Sequence, residues 1–481
     1  MDSQSDFQLK FDFLPSKPIV VEPSADQVSS DAGLLPFRQL DERIGLTRRL
    51  AEALTDRRDA GRIDHSFLEM VRMRVYGILA DYPDQNDHDV LRSDPVFKIL
   101  CGRSIHADDL ASQPTLSRFE NAIGTGCFAR LRDLLMDLFI ASFDKPPRSL
   151  TLDIDTFDDP THGQQQLTFF HGYYDQYQYQ PRAITCAEND MVLDVCLLHG
   201  SAHPALGADD DLEYVVGRLR AVWPGVWIHV RGDSGFGVPA MYDACERLDV
   251  DYTLGLGMNT RLKKFSENTL ETAKNQFEAT GQPQRHFCAF WYRAQSWPAQ
   301  RWVVLKCEAN AQGTNRRATV TNRPGAFVLP EAAYDAYVDR GESENRNKEL
   351  KRGLEADRLS DHRYFANLFR LYLHTAAYHL LVCMRRMVAD PPPVDEGDGL
   401  TVEALPGQRR RQWHNRRRER DPLGEGHPCT WRTRLIKVAA TVQESTRRVI
   451  VRLSSSWPYL THFRQVAEGL LANDQAAFDS S

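Results

Sequence analysis

From residue 34 to about 143 the apolar positions recur in steps of three and four. Leu46, Leu50 and Leu54 form one set, Phe67, Val71, Val75 and Ile78 another, with polar loops between them. This is the period of helices that bury one face, so the segment predicts an all-α region. The run from Phe128 (FARLRDLLMDLF) adds a further amphipathic helix. At Ser149 the period changes. Residues 150–155 (LTLDID) alternate apolar and polar as a half-buried strand does, and strand-like runs follow at 182–187 and 191–198. A helix opens at Asp209 with Leu212, Val215, Val216 and Leu219 on one face. A strand over 226–230, a helix over 239–249 and a strand over 251–257 come next. Three strands before the first helix predict hairpin pairing. The later helix–strand units predict parallel strands added to the same sheet.

Between about 263 and 330 the pattern turns strand-like again, at 287–293, 301–307 and 317–321, with Gly, Gln and Asn in the joining loops. A long helical zone runs from Glu331 to Val388 with a break near Arg358, and Pro391, Pro392 and Pro393 end it. The expected layout is an extended acidic arm (1–33), a helical N-terminal region (34–148), a first α/β core segment (149–262), an inserted β-rich domain (263–330), a second core segment (331–390), and a Pro-rich linker with a basic C-terminal region (391–481).

At 481 residues the chain has room for about three domains. Its nine cysteines are scattered with no CxxC pair, which indicates neither a zinc knuckle nor a disulfide framework. The start lacks a signal peptide's basic and apolar regions, and the most apolar stretch, 365–388, is broken by Arg370, His374 and Arg385. A soluble, cytoplasmic protein with no membrane partner is expected.

The net charge of −7, from 59 basic and 66 acidic residues, argues by itself against nucleic acid as a partner. Its distribution reverses that reading. Residues 1–33 carry six acids against two lysines, whereas residues 403–452 carry thirteen Lys/Arg against five acids. Arg409, Arg410, Arg411, Arg416, Arg417, Arg418 and Arg420 fall within twelve positions. A solvated tail is the bland account of such a run. Dense arginine also binds phosphates strongly and with steep salt dependence, and DNA contact is the expectation.

Three acids stand out. Asp155 ends the 150–155 strand, at the carboxyl end where α/β sites gather; Asp153, two residues earlier, shares its face. Asp233 follows the 226–230 strand in RGDSG, where a helix-capping turn is the alternative. In YVDRGESENRNKELK, Tyr337, Arg340, Glu344 and Lys351 fall at steps of three, four and seven, one stripe of a helix; exposed i,i+4 ion pairing is the alternative. Carboxylates beside cations suit a metal-supported phosphoryl-transfer site, because divalent magnesium prefers carboxylate oxygen.

The order of strand acid, strand acid and helix acid, with Tyr-x2-Arg-x3-Glu-x6-Lys met without a gap, resembles the DDE transposases of bacterial insertion sequences. LDIDTFDDPTHGQQ, VRGDSGFGVPAMYDACE and ENRNKELKRGLEADRLSDHRYFANLFRLYLHTAAY are similar to the insertion-sequence thirteen-eighty group, and so are LLPFRQLDERIGLTRRLAEAL, LASQPTLSRFEN and KVAATVQESTRRVIVRL. The resemblance implies an RNase H-like mixed-sheet core with an inserted β-rich domain and a helical DNA-end-binding region before it. It implies two Mg2+ ions, with Mn2+ as substitute, on Asp155, Asp233 and Glu344. Tyr337, Arg340 and Lys351 are then contacts to DNA phosphates. The partners implied are terminal inverted repeats, target DNA and a second copy of the chain in the synaptic complex of a nucleoid-associated enzyme. Many relatives carry a hydroxyl residue where this chain has Phe157, which leaves Asp153 open beside Asp155.

Trp291 and Trp297 lie where some relatives use a Trp to hold a flipped base; a core role is the alternative for each. Six aromatics in the run from Phe169 to Tyr179 fit strand packing better than base stacking. The functions left open beside transposition are a structure-selective nuclease and a catalytically silent DNA-binding derivative.

Overall fold

The computed structural model describes residues 8–11, 17, 19–24, 26–388, 423 and 426–479. Strands β1 (Leu9–Phe11) and β2 (Ile19–Val21) pair with each other, and β3 (Val28–Ser29) lies apart from them. Seven helices follow, α1 (Leu35–Ile44), α2 (Leu46–Glu52), α3 (Phe67–Leu79), α4 (His88–Leu91), α5 (Pro95–Cys101), α6 (Gln113–Asn121) and α7 (Gly126–Ala141). The three-and-four period places Phe37, Leu50, Val71, Val75 and Leu116 in their shared interior. Ser66 caps α3 by accepting from the Glu69 amide, and Asp94 caps α5.

The centre is a ten-stranded mixed sheet. Its first part comprises β4 (Ser149–Thr156), the short β5 (Asp159–Pro160) and β6 (Phe169–His171), then β7 (Gln176–Cys186) and β8 (Val192–His199). After α8 (Ala208–Val222) come β9 (Trp227–Gly232), α9 (Pro239–Arg247) and β10 (Asp251–Leu256). β4, β9 and β10 run parallel, while β7 is antiparallel to β4, β5, β6 and β8. Both expectations for this stretch, hairpins first and parallel additions later, are met.

The segment after β10 contains two helices ahead of the expected strands. Helices α10 (Thr260–Phe265) and α11 (Glu267–Thr280) precede β11 (Gln284–Tyr292), β12 (Arg301–Asn310) and β13 (Gly313–Thr321). The three strands pair with one another in chain order. β13 pairs antiparallel with β10, Thr253 opposite Thr321, so the central sheet continues through them. α11 covers β11 and β12, and its apolar face is thin, with only Leu270 and Ala273 buried. So little periodicity is invisible in the sequence.

The chain then enters α12 (Pro330–Val338), α13 (Gly341–Lys348) and the 25-residue α14 (Tyr364–Val388). α14 packs against α1, α3, α6 and β8, and nearly its whole circumference is buried. That explains an apolar run interrupted by His374 and His379, each of which hydrogen-bonds a backbone carbonyl, of Leu354 and Val192 respectively. Among the described residues no helix is long and apolar enough to cross a membrane.

After α15 (Pro428–Trp431) the hairpin β14 (Ala440–Ser445) and β15 (Arg448–Leu453) leads to α16 (Leu460–Asp479). Here segments far apart in the sequence meet, because β3 pairs with β14, Ser29 opposite Ala440. Part of the region read as an extended arm is thus clamped. Gly33 is required at that junction: a Cβ there would sit 1.7 Å from the Leu435 carbonyl oxygen.

Candidate active site

β4 alternates as its sequence predicts, with Leu150, Leu152 and Ile154 buried against the core. Its pairing with β9 aligns Ile154 with Gly232. One residue further along each parallel strand stand Asp155 and Asp233. Two carboxyl groups thus meet at the carboxyl ends of neighbouring strands, the edge where open α/β sheets carry their ligands.

Asp153 and Asp155 share a face but not a situation. Asp153 is buried in a bidentate ion pair with Arg231, at 2.6 and 2.7 Å, and Arg231 also donates to the Ala336 carbonyl of α12. Its charge is committed to holding strand and helix together. The Asp155 Oδ1 accepts from the Thr156 amide, while Oδ2 faces the Arg340 guanidinium at 3.3 Å. Burial pushes the Asp155 carboxyl up to about 7; Arg340 opposes the rise, and the charges of Asp233 and Glu344 add to it. Each of those acids is therefore within electrostatic reach of Asp155.

Asp233 begins the turn after β9, and its Oδ1 accepts from the Gly235 amide at 2.8 Å. The turn rests on β10 at Gly255. A Cβ on Gly255 would meet the Ser234 nitrogen at 2.6 Å, the Asp233 carbonyl carbon at 2.8 Å and the Tyr337 hydroxyl at 2.9 Å.

The single helical stripe expected over 337–351 does not form. α12 ends at Val338, a turn spans Asp339 and Arg340, and α13 starts at Gly341. From Glu349 to Gly353 the helix widens to π geometry, closed by the Leu354 amide donating to the Glu349 carbonyl. Tyr337, Arg340, Glu344 and Lys351 nonetheless gather at one edge of the sheet. Arg340 lies 5.7 Å from the Tyr337 ring centroid and donates to Glu344 Oε1 at 2.9 Å. Lys351 pairs with Asp158, which no motif in the sequence marks. Burial pushes Asp158 up, but the Lys351 ammonium outweighs it and holds the carboxyl below its usual range. The only local hint of Asp158 is its position three residues after Asp155.

All three acids offer hard carboxylate oxygen, the donor type that Mg2+ and Mn2+ take. In the arrangement observed, the guanidinium of Arg340 lies between Asp155 and Glu344 and supplies the positive charge there. Among the described residues, no three His, Cys, Asp or Glu side chains converge tightly enough to hold an ion as they stand. The donor chemistry of the three acids is of the type a divalent cation takes.

Trp291 is 55% exposed and stacks on Phe327 with ring centroids 5.4 Å apart. Trp297 is buried against Tyr242, Tyr292 and the Arg301 guanidinium, with no open face for a base. Phe157 is part of the core. The arginines from Arg409 to Arg420 lie outside the described residues.

No curated protein matches the chain. Among solved structures, a piggyBac transposase synaptic complex with hairpin DNA is similar at 12% identity and a TM-score of 0.38, over 85% of this chain and 84% of that one. The family model described as transposase DDE domain group 1 matches residues 11–396, most of the sequence, and the chain belongs to that family.

Proposed function

We propose that this chain is the cut-and-paste transposase of a bacterial insertion sequence of the thirteen-eighty group, acting on DNA through an RNase H-like core. The observation that carries the reading is the parallel pairing of β4 with β9, Ile154 opposite Gly232, directly before Asp155 and Asp233. Asp155, Asp233 and Glu344 would hold two Mg2+ ions, or Mn2+ in their stead. When bound, such a pair activates water and stabilises the leaving oxygen of an in-line phosphoryl displacement.

The chain's own residues do the rest. Asp153 keeps Arg231 neutralised, so β4, β9 and α12 hold the two strand acids at a fixed separation. Arg340, whose planar fork carries five donors, would exchange Asp155 for a phosphate oxygen of the DNA. Lys351, beside Asp158, would lie along the same backbone, with Tyr337 packed behind Arg340. The helical region at 34–148 would bind the terminal inverted repeats. Arg409, Arg410, Arg411, Arg416, Arg417 and Arg418 would add phosphate contacts, and two copies would pair to synapse two ends.

The test is purified full-length chain with linear DNA carrying the sequences that flank its coding region. In Mg2+ the reading predicts cleavage at the element boundary that leaves a 3′-hydroxyl, and none in EDTA. Cleavage that persists in EDTA, or no cleavage in Mg2+, contradicts it. A second expected result concerns the Asp233 turn. Gly255→Ala must push that turn off β10 and is expected to slow cleavage about 100-fold, the cost of misplacing a reacting group by about 1 Å. Single-turnover rates on folded protein check it.

A further inference from the structure

Five of the eleven exposed aromatic rings among the described residues stand on one hairpin, β6 to the start of β7: Phe169, Phe170, Tyr173, Tyr174 and Tyr177. Aromatics on a hairpin ordinarily face a core or a second layer. These do not, and Tyr173 at the tip is 85% exposed. Phe170 and Tyr177 are directly opposite each other with ring centroids 5.6 Å apart, and Tyr173 stands perpendicular to Tyr174 at 5.0 Å. The rings thus meet edge to face, and each keeps more than a third of its surface exposed.

The hairpin is fixed at its root. The Gln166 amide donates to the His362 carbonyl at 2.9 Å, Gln166 Oε1 accepts from the Tyr364 amide, and the Tyr179 hydroxyl donates to the Gln166 carbonyl. At its other end it reaches the candidate active site. Gln176 donates to Asp158 Oδ2 at 3.3 Å, and Asp158 is the partner of Lys351. The Tyr174 phenol is pushed up by burial and by the charges of Asp158, Asp155 and Asp233. Residues 167–177 contain no Lys or Arg, and Asp175 is their one acid. Such a surface has no Lys or Arg to attract a phosphate. It suits the faces of bases, which a duplex exposes only where its strands are parted.

We infer that the Phe169–Tyr177 hairpin is a stacking platform for unpaired bases of the DNA strand held at the carboxylate site. This inference rests on the DNA-processing reading above and adds to it how the melted end is gripped. Stacking of this kind tolerates any sequence, because every base has a π face.

The test measures binding separately from chemistry. Full-length chain in EDTA is titrated against a fluorescein-labelled oligothymidylate of about 12 nucleotides, within the usual span of such sites. Tyr173→Ala is expected to weaken binding about tenfold and Y173A/Y174A about 50-fold or more, with Tyr173→Phe within about twofold of wild type, since the ring is what stacks. Binding to a blunt duplex of the same length stays unchanged. The exposure of Tyr173 means that its loss leaves the melting midpoint where it was, which circular dichroism checks. The inference is overturned if wild-type chain does not bind the oligothymidylate, if Y173A/Y174A binds it as well as wild type does, or if Y173F loses as much as Y173A. Metal-dependent cleavage is scored in its own reaction. Stacking without cleavage therefore supports this inference while removing the functional reading, and cleavage without stacking does the reverse.

Discussion

Asp233→Asn is expected to slow cleavage of DNA ends about 1000-fold or more, with folding intact. The amide is isosteric and its oxygen can still accept from the Gly235 amide, so the turn after β9 keeps its shape. What is lost is one of the two adjacent strand-end negative charges, and electrostatic stabilisation of developing charge is the largest single contribution in such chemistry. Gel-resolved cleavage rates, beside unchanged melting midpoints, check this. Asp153→Asn is the informative comparison. It leaves the Arg231 guanidinium buried without its carboxylate, which costs about 3–5 kcal/mol when one partner of a buried pair is removed. Asp153→Asn should therefore act by unfolding the protein, and Asp233→Asn by disabling it. The reverse assignment would make Asp153 the reacting acid.

The largest expected effect on stability is at Glu120→Ala. Glu120, on α6, is 1% exposed and is held between Arg74 of α3, at 2.8 Å, and Arg370 of α14, at 2.5 Å. Removing it leaves two buried guanidinium groups facing each other where the helical region meets the long central helix. A loss of about 3–5 kcal/mol is expected, read as a large drop in the urea or thermal midpoint. The same residue carries a pH signature. Burial pushes its carboxyl up, but Arg370 and Arg74 outweigh burial and the net direction is down from 4.5. A folded pKa below the unfolded one means stability that is fully present above about 4.5 and lost as pH falls through the folded value. Glu120→Gln should flatten that part of the acid-unfolding curve.

What could be read from the sequence follows from how local each signal is. β4 and β9 were legible because alternation and continuous apolar runs report burial directly, and Asp155 and Asp233 follow from where those strands end. α14 was legible for the same reason. The turn at Asp339 and Arg340 was not, since steps of three, four and seven look the same whether one helix or two carry them. The motif spacing marks Lys351 but not what stands beside it. Its observed partner, Asp158, is 193 residues away, and only the fold brings them together. Sheet continuity through β13 and the pairing of β3 with β14 are likewise long-range, and no periodicity records them. The exposure of the aromatic hairpin was hidden too. Aromatic composition is identical in a packed strand pair and in an open one, and here the sequence favoured packing.

The most direct test of the central claim is joining rather than cutting. Full-length chain is given pre-cleaved element ends that expose a 3′-hydroxyl, a supercoiled target plasmid and Mg2+, and joined product is measured for wild type and for Glu344→Gln. The account predicts joined product with wild type and its loss, by about 1000-fold, with the variant. No joining by wild type, or undiminished joining by Glu344→Gln, would contradict it.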